Sequence, residues 1–236
     1  MDDKPALSRR GFLGAAMGAA AAGGVLSGAD GAFAATPKRP STPSAALATL
    51  MDGNQRYRAG HWQRVDYSPV GERRASAQAP FAAVLTCADS RISPALVFDV
   101  ERGNIFSAQV AGNSVDDGTA GSLEYAVAVL NVPLIMVLGH TDCGAVKSAI
   151  EVAKGRASYP PEQYGSIGAV VDAIVPAVQT LPAGERTLDN GVAANARLQA
   201  QSLRLRGPIL PAALRAGRLR IVAAVYDLAT GAVELV

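Results

Sequence analysis

Short apolar runs alternate with amphipathic stretches along most of the chain. The apolar runs have the character of buried strands, and they predict strands over 81–86, 104–110, 132–138 and 218–226. Apolar residues that recur at helical spacing predict helices over 45–60, 119–130, 145–153 and 189–206. A turn at 229–231 leads into 232–236 and predicts a hairpin. This alternation favours an α/β fold, in which a mostly parallel central sheet is flanked by helices.

The amino-terminal segment has a different pattern from the rest of the chain. The letters SRRGFLG at 8–14 precede a mildly apolar run, rich in Ala and Gly, over 15–26. This order resembles a twin-arginine export signal, and Ala32-Phe33-Ala34 offers a small-residue cleavage site. A membrane anchor is the alternative, but glycines dilute the run, which is short beside the roughly 20 apolar residues of a bilayer span.

These features divide the chain into three parts. Residues 1–34 are predicted to be a twin-arginine signal peptide, residues 35–44 a linker, and residues 45–236 a single folded domain. We therefore expect an exported protein, periplasmic or secreted, with no membrane attachment after cleavage. The net charge of +2, with 18% charged residues, offers no basic surface for nucleic acid, so a small molecule is the expected partner.

Two groups of reactive residues lie where two of the predicted strands end. Cys87, Asp89 and Arg91 follow the first predicted strand, and His140 and Cys143 follow the third. The chain has only 2 cysteines and 2 histidines, and these two groups contain three of those four residues. Because the carboxyl ends of parallel strands meet at one edge of a sheet, we expect the two groups to lie close together.

Cys87, His140 and Cys143 offer the ligands of a catalytic zinc ion. Zinc takes thiolate and imidazole ligands in a tetrahedron, and a catalytic zinc usually keeps one exchangeable position beside three protein ligands. Thiolates also favour zinc over magnesium or calcium. Bound zinc lowers the pKa of water from about 15.7 towards roughly 7, so even a weak electrophile such as carbon dioxide becomes a reasonable substrate.

Asp89 and Arg91 add a charged pair beside this set. They alternate with Cys87, so in an extended segment the three side chains would point to the same side of the chain. Asp89 could be held by Arg91 and accept a hydrogen bond from the reacting water. It could instead move onto the metal as a fourth ligand, in a closed state of the site. The spacing allows both arrangements.

The same residues allow two interpretations other than a catalytic zinc. A disulfide between Cys87 and Cys143 would suit an exported protein, but it explains neither His140 nor the spacing of Asp89 and Arg91. A purely structural zinc would need Asp89 as a permanent ligand, which leaves Arg91 without a task. The catalytic interpretation accounts for more of the residues than either alternative.

The pattern C-x-D-x-R, followed by H-x-x-C-G, resembles the metal signature of the β-carbonic anhydrases. Further segments resemble the same family: LMDGNQRYR at 50–58, VAGN at 110–113, SLEYAVAVL at 122–130 and RLRIVAAVYDLATG at 218–231. The resemblance therefore extends over the whole of the predicted folded domain, 45–236, which it identifies as a catalytic domain.

The resemblance implies an α/β fold, a homodimer or a dimer-based tetramer, and zinc-dependent reversible hydration of carbon dioxide to bicarbonate and a proton. It matches Cys87, His140 and Cys143 to the zinc ligands. It matches Asp89 and Arg91 to the catalytic pair. It also implies that Gln78, nine positions before Cys87, hydrogen-bonds substrate.

Two alternative functions remain compatible with the same residues. One is hydrolysis of carbonyl sulfide or carbon disulfide on the same fold, because a fold alone does not choose the substrate. The other is a non-catalytic zinc-binding protein, which the charged pair beside the metal ligands disfavours.

Overall fold

The computed structural model describes residues 39–63 and 77–236. The predicted signal peptide and residues 35–38 of the predicted linker lie outside the described residues. Among the helices that are described, none is long and apolar enough to cross a bilayer.

Strands and helices alternate along the described chain, as the hydrophobic pattern predicts. The strands are β1 (Ala82–Thr86), β2 (Ile105–Gln109), β3 (Leu134–His140), β4 (Arg220–Tyr226) and β5 (Val233–Leu235). The helices are α1 (Pro43–Ala59), α2 (Pro94–Val97), α3 (Asp117–Ala128), α4 (Gly144–Ala153), α5 (Pro161–Tyr164), α6 (Ile167–Asp172), α7 (Val175–Gln179), α8 (Leu188–Leu205) and α9 (Ile209–Arg215). Two 3₁₀ turns, Ala111–Asn113 and Ala183–Glu185, complete the set.

The five strands form one sheet in the order β2-β1-β3-β4-β5. The first four strands are parallel, and β5 pairs with β4 in the antiparallel sense. The prediction of a mostly parallel sheet that ends in a hairpin is therefore confirmed. Strands β1 and β3 are buried along their whole length, as is usual for central strands of a parallel sheet covered on both faces.

The first helix begins earlier than its apolar pattern predicts. Thr42 is the N-cap residue, its side chain accepts a hydrogen bond from the Ala45 N–H, and Pro43 occupies the first turn. The last two residues of the predicted linker, Pro43 and Ser44, therefore belong to α1. The short helices α2, α5, α6, α7 and α9 were not predicted, because segments of four to seven residues hold too little of a helical period.

The two faces of the sheet pack against different helices. Alternate side chains of the strands pack on one face against α1 and α2, and on the other face against α3, α8 and α9. A third apolar cluster lies near the carboxyl ends of the strands, where residues of α4, α6, α7 and α8 surround the two cysteines.

Helix α1 is fixed to its face by polar contacts as well as by apolar packing. The buried Asn54 side chain donates to the carbonyls of Val97 (3.0 Å) and Gly231 (2.8 Å), and accepts from the Val233 N–H (3.0 Å). Next to it, Gly53 passes so close to Phe98 that an added Cβ would collide with the Phe98 carbonyl. Helix α1 thus joins α2 to the final hairpin.

Candidate metal centre

The sheet brings the two predicted groups of reactive residues together. Strands β1 and β3 are parallel neighbours with Thr86 opposite Leu138, so their carboxyl ends lie side by side. Cys87 directly follows β1, His140 is the last residue of β3, and Cys143 is the N-cap residue of α4. One ligand atom from each of these three buried residues lies within 4.8 Å of the other two.

The loop between His140 and Cys143 is shaped by the neighbouring strand β4. The Thr141 N–H donates to the Tyr226 carbonyl (3.0 Å), and the Thr141 hydroxyl accepts from the Leu228 N–H (3.0 Å). Asp142 then takes a left-handed conformation with φ of 58°, which Asp tolerates better than most residues. This turn directs His140 and Cys143 towards the same point.

The imidazole of His140 is oriented for metal binding. Its Nδ1 lies 2.8 Å from the Thr141 carbonyl, which can only accept, so Nδ1 carries the proton. Its Nε2 is buried and has no hydrogen-bond partner among the described residues. A histidine that donates from one ring nitrogen and leaves the other with a free lone pair has the usual arrangement of a metal ligand. The residues present therefore fit a zinc ion.

Neither cysteine forms a disulfide, and the two sulfurs influence each other's pKa. Cys143 hydrogen-bonds the Cys87 sulfur and lowers the Cys87 pKa against the opposing effect of burial, with His140 and the Gly112 N–H (3.3 Å) contributing to the decrease. The same hydrogen bond and burial raise the Cys143 pKa. Without metal, Cys87 is therefore the thiolate and Cys143 the thiol.

His140 and the two sulfurs influence one another. Burial lowers the pKa of His140, but the Cys87 sulfur and the Thr141 carbonyl raise it by more, so the net shift is upward. A thiolate beside an imidazole favours the protonated form of the ring, which is the direction of this shift. A divalent cation held by both groups would take the place of that interaction.

Asp89 and Arg91 form a pair next to the three ligand atoms. The chain after β1 turns, with the Ile92 N–H donating to the Asp89 carbonyl (3.1 Å), so it is not the extended segment that the alternation suggested. Asp89 Oδ1 accepts from the Arg91 N–H (2.9 Å) and Nε (2.9 Å), and Oδ2 accepts from Nη2 (2.7 Å). These contacts with Arg91 hold the pKa of Asp89 well below its usual range, so Asp89 is a carboxylate.

Gln78 does not reach this site within one chain. It is exposed and lies before the amino end of β1, whereas Cys87 follows the carboxyl end. The four steps from Ala82 to Thr86 alone span about 13 Å in an extended strand. The role that the resemblance implies for Gln78 therefore stays a prediction, which one chain does not test, because the length of β1 separates Gln78 from Cys87.

Two residues that hydrogen-bond the turn next to the Cys87 sulfur were not predicted from the sequence. Asn195 and Gln199, on α8, reach the turn that contains Gly112. The signal that could have found them is two amide residues spaced four apart, and therefore on one face of a helix, within a stretch otherwise rich in alanine. Gly112 itself lies in the VAGN segment, which was noted only for its resemblance.

Comparisons with known proteins agree with this geometry. The family profile described as carbonic anhydrase matches residues 82–233. The carbonic anhydrase of Mycolicibacterium smegmatis is 39% identical over 199 residues, which cover 83% of this chain and 94% of that protein. Carbonic anhydrase 2 of Mycobacterium tuberculosis is 46% identical over 114 residues, which cover 47% of this chain and 55% of that protein.

Solved structures show the same fold. A Coccomyxa β-carbonic anhydrase in complex with acetazolamide is 27% identical and has a TM-score of 0.61, covering 80% of this chain and 86% of its own. One of two tetrameric β-carbonic anhydrases from Sordaria macrospora is 19% identical with a TM-score of 0.59, covering 82% and 94%. The chain belongs to the β-class carbonic anhydrase family, whose members use zinc to hydrate carbon dioxide reversibly to bicarbonate and a proton.

Proposed function

We propose that Cys87, His140 and Cys143 hold the catalytic zinc ion of this carbonic anhydrase. The observation that carries the proposal is the convergence of one nitrogen and two sulfurs within 4.8 Å, with the buried His140 Nε2 left without a partner. A zinc ion held there supplies a Lewis acid that generates a nucleophile from water near neutral pH. The Thr141 carbonyl keeps the imidazole in the tautomer that presents Nε2.

Asp89 is proposed to orient the reacting water, while Arg91 orients Asp89. An ionised carboxylate offers about four acceptor positions, and Arg91 occupies three of those of Asp89. The remaining position can accept a hydrogen bond from water. Because Arg91 keeps Asp89 ionised, Asp89 acts as a fixed acceptor rather than as a strong base. In a closed state Asp89 would leave Arg91 and join the three metal ligands.

The two histidines of the chain provide a matched test of the metal site. His140→Ala should lose bound zinc and reduce carbon dioxide hydration to background, whereas His61→Ala, in an exposed segment, should retain both. Hydration is measured by stopped flow, and zinc is assayed on the same samples. An active, zinc-replete His140→Ala variant would refute the assignment. Wild-type protein that released sulfide from carbonyl sulfide, but did not hydrate carbon dioxide, would indicate the alternative substrate class.

We further propose that the working unit is a homodimer, with or without pairing into a tetramer. Within residues 39–63 and 77–236, strand β2 is at an edge of the sheet and pairs only with β1, so its other side can receive a second chain. An aromatic pair, Phe106 and Tyr125, lies at this edge with ring centroids 6.5 Å apart, and Tyr125 is 39% exposed. An apolar contact at an open strand edge is typical of an interface between subunits.

A dimer would also give Gln78 a role that one chain cannot. Its position beyond the amino end of β1 suggests that it reaches the metal site of the second subunit. Coexpression of Gln78→Ala and His140→Ala subunits tests this directly, because their mixed dimer would contain one site with both native residues. Activity well above that of either homodimer supports the proposal. A mixture no more active than its components would place Gln78 outside the site, while light scattering reports the dimer independently.

Export by the twin-arginine route is proposed from the sequence at 8–34, which supports it by its paired arginines, apolar run and cleavage motif. The mature enzyme would then work in the periplasm or outside the cell. Replacing both Arg9 and Arg10 by Lys should leave the protein in the cytoplasm. Replacing Lys38 and Arg39, which lie outside the paired-arginine motif, should not prevent export. Unchanged export of the Arg9 and Arg10 double variant, measured by cell fractionation, would contradict the proposal.

A further inference from the structure

Two buried amides on α8 contact each other and the turn behind the metal site. Asn195 and Gln199 are 1% and 5% exposed, respectively, and the Gln199 Nε2 donates to Asn195 Oδ1 (3.1 Å). Asn195 Nδ2 donates to the Gly112 carbonyl (2.8 Å). Burying two amide groups in a helix that packs on a sheet is costly unless their hydrogen bonds are made, and here they are made to this turn.

Gln199 fixes the amide of Asn195 in place. Its Nε2 also donates to the Ala173 carbonyl (3.1 Å), and its Oε1 accepts from the Val115 N–H (3.0 Å). The Asn195 amide therefore has a defined orientation, with Oδ1 towards Gln199 and Nδ2 towards Gly112. The turn after β2 is held at two points, at Gly112 and at Val115.

Gly112 connects these amides to the metal site. The same residue that accepts from Asn195 donates its N–H to the Cys87 sulfur (3.3 Å). Its φ of 69° favours glycine, and an added Cβ would collide with Ile174. Gly112 thus lacks a side chain that could fix it, so its N–H and its carbonyl, which belong to the two peptide units that meet at its Cα, depend on hydrogen bonds and neighbours for their positions.

We infer that Asn195 is a positioning residue for the metal site, which acts on Cys87 through Gly112, with Gln199 as its support. The inference rests on the proposed role of Cys87 as a zinc ligand. An N–H that donates to a ligating thiolate withdraws charge from the sulfur and fixes its direction, as outer partners of metal ligands commonly do. Asn195, 83 residues away along the chain, fixes the carbonyl of the same glycine and so restricts the orientation of the adjacent N–H.

The test uses protein loaded with cobalt, whose thiolate-to-metal charge-transfer absorption reports directly on the sulfur. Asn195→Ala should shift this absorption and weaken metal binding by about 10- to 100-fold in competition with a chelator, the usual range for loss of such a partner. Gln199→Met, which keeps the size and helix preference of the side chain, should shift both readouts in the same direction by less.

Asn54→Ala is the matched control. Asn54 is the same residue type, is also buried, and hydrogen-bonds Val97, Gly231 and Val233 on the other face of the sheet. It should lower the melting temperature without moving the absorption or the metal affinity. A purely structural role for Asn195 predicts the same behaviour from Asn195→Ala, so an unmoved absorption and affinity would overturn the inference.

Two further outcomes are informative. If Asn195→Ala does not fold, Gln199→Met decides alone: a shifted absorption supports the inference and an unchanged one overturns it. If the wild-type protein binds cobalt without any thiolate absorption, Cys87 and Cys143 are not ligands. That result refutes the proposed metal site, and the inference with it, whereas wild-type absorption that the variants leave unchanged refutes only the inference.

Discussion

A buried asparagine lies on each face of the sheet, and the two asparagines have different roles. On the α1 face, Asn54 joins a helix to α2 and to the final hairpin, and its contacts end in backbone. On the α8 face, Asn195 contacts Gly112, which contacts the Cys87 sulfur. Both asparagines are buried and hydrogen-bonded. Burial and satisfied hydrogen bonds therefore do not distinguish a structural amide from one that supports a reaction. The distinction lies in the residues to which the contacts of each amide lead.

The largest predicted effect is a loss of activity, and it is expected for the charged pair Asp89 and Arg91 at the metal site. Asp89→Asn keeps the size of the side chain but replaces one acceptor oxygen by a donor that faces Arg91. We expect kcat/KM to fall by about 100-fold, at the lower end of what positioned proton acceptors contribute, with zinc content unchanged. Asp142→Asn is the control, since Asn tolerates the same left-handed turn. Equal activity of the two variants would remove Asp89 from the mechanism.

On the α1 face, by contrast, a substitution is expected to lower stability and to leave the metal site unchanged. Gly53→Ala places a methyl group against the Phe98 carbonyl, so α1 must move away from α2. The free energy of unfolding should fall by about 1–3 kcal/mol, as is usual for overpacking, while zinc affinity stays at the wild-type value. Urea titration measures the first quantity and chelator competition the second. Weakened zinc binding would show that the two faces are coupled.

The pH dependence of zinc affinity should be set by the residues of the metal site and not by residues of the α1 face. Zinc must displace the proton of Cys143, whose pKa is raised, whereas Cys87, whose pKa is lowered, has already lost its own. Affinity should therefore fall as the pH falls, by about one logarithmic unit per pH unit for the Cys143 proton, and more steeply where His140, whose pKa is also raised, is protonated too. Zinc affinity that did not change with pH would contradict this assignment of the protons. Gly53→Ala should leave the slope unchanged.

The smallest effect is expected at a hydrogen bond on the α1 face that involves the residue paired with His140. Tyr57 on α1 hydrogen-bonds Tyr226 (O to O, 2.9 Å), and Tyr226 is the β4 register partner of His140. Tyr57→Phe should lower the free energy of unfolding by about 1 kcal/mol, the net contribution of one hydrogen bond. Zinc affinity should not change, because the contact is with the Tyr226 hydroxyl rather than with the backbone that holds Thr141. A shift in affinity would extend the site to α1.

Much of this arrangement was predictable from local patterns. Apolar runs and helical periods identified the strands and the longer helices, and the rule that ligand sites lie at the carboxyl ends of parallel strands placed Cys87 beside His140. These inferences succeed because periodicity depends on neighbours in sequence. The position of Cys143, three residues after His140, is equally local.

The rest depends on contacts between distant segments. Asn195 lies 83 residues from Gly112, and nothing near it in sequence indicates that its amide reaches a cysteine sulfur. The role of Gln78 rested on the resemblance alone, and it remains a prediction because β1 separates Gln78 from Cys87 within one chain. The turn at Asp89 was not predicted because it depends on a hydrogen bond from the Arg91 N–H to the Asp89 carboxylate, which alternation along the chain does not indicate.

The contacts of Asn54 also constrain the order in which the chain can fold. Its partners Gly231 and Val233 lie 177 and 179 residues further along, so α1 emerges from the ribosome long before the groups that complete its burial exist. Contacts of such high sequence separation form late and slowly. Docking of α1 is therefore complete only when the final hairpin has formed: a nascent chain that stops before it leaves two of the three hydrogen bonds of the Asn54 side chain unmade.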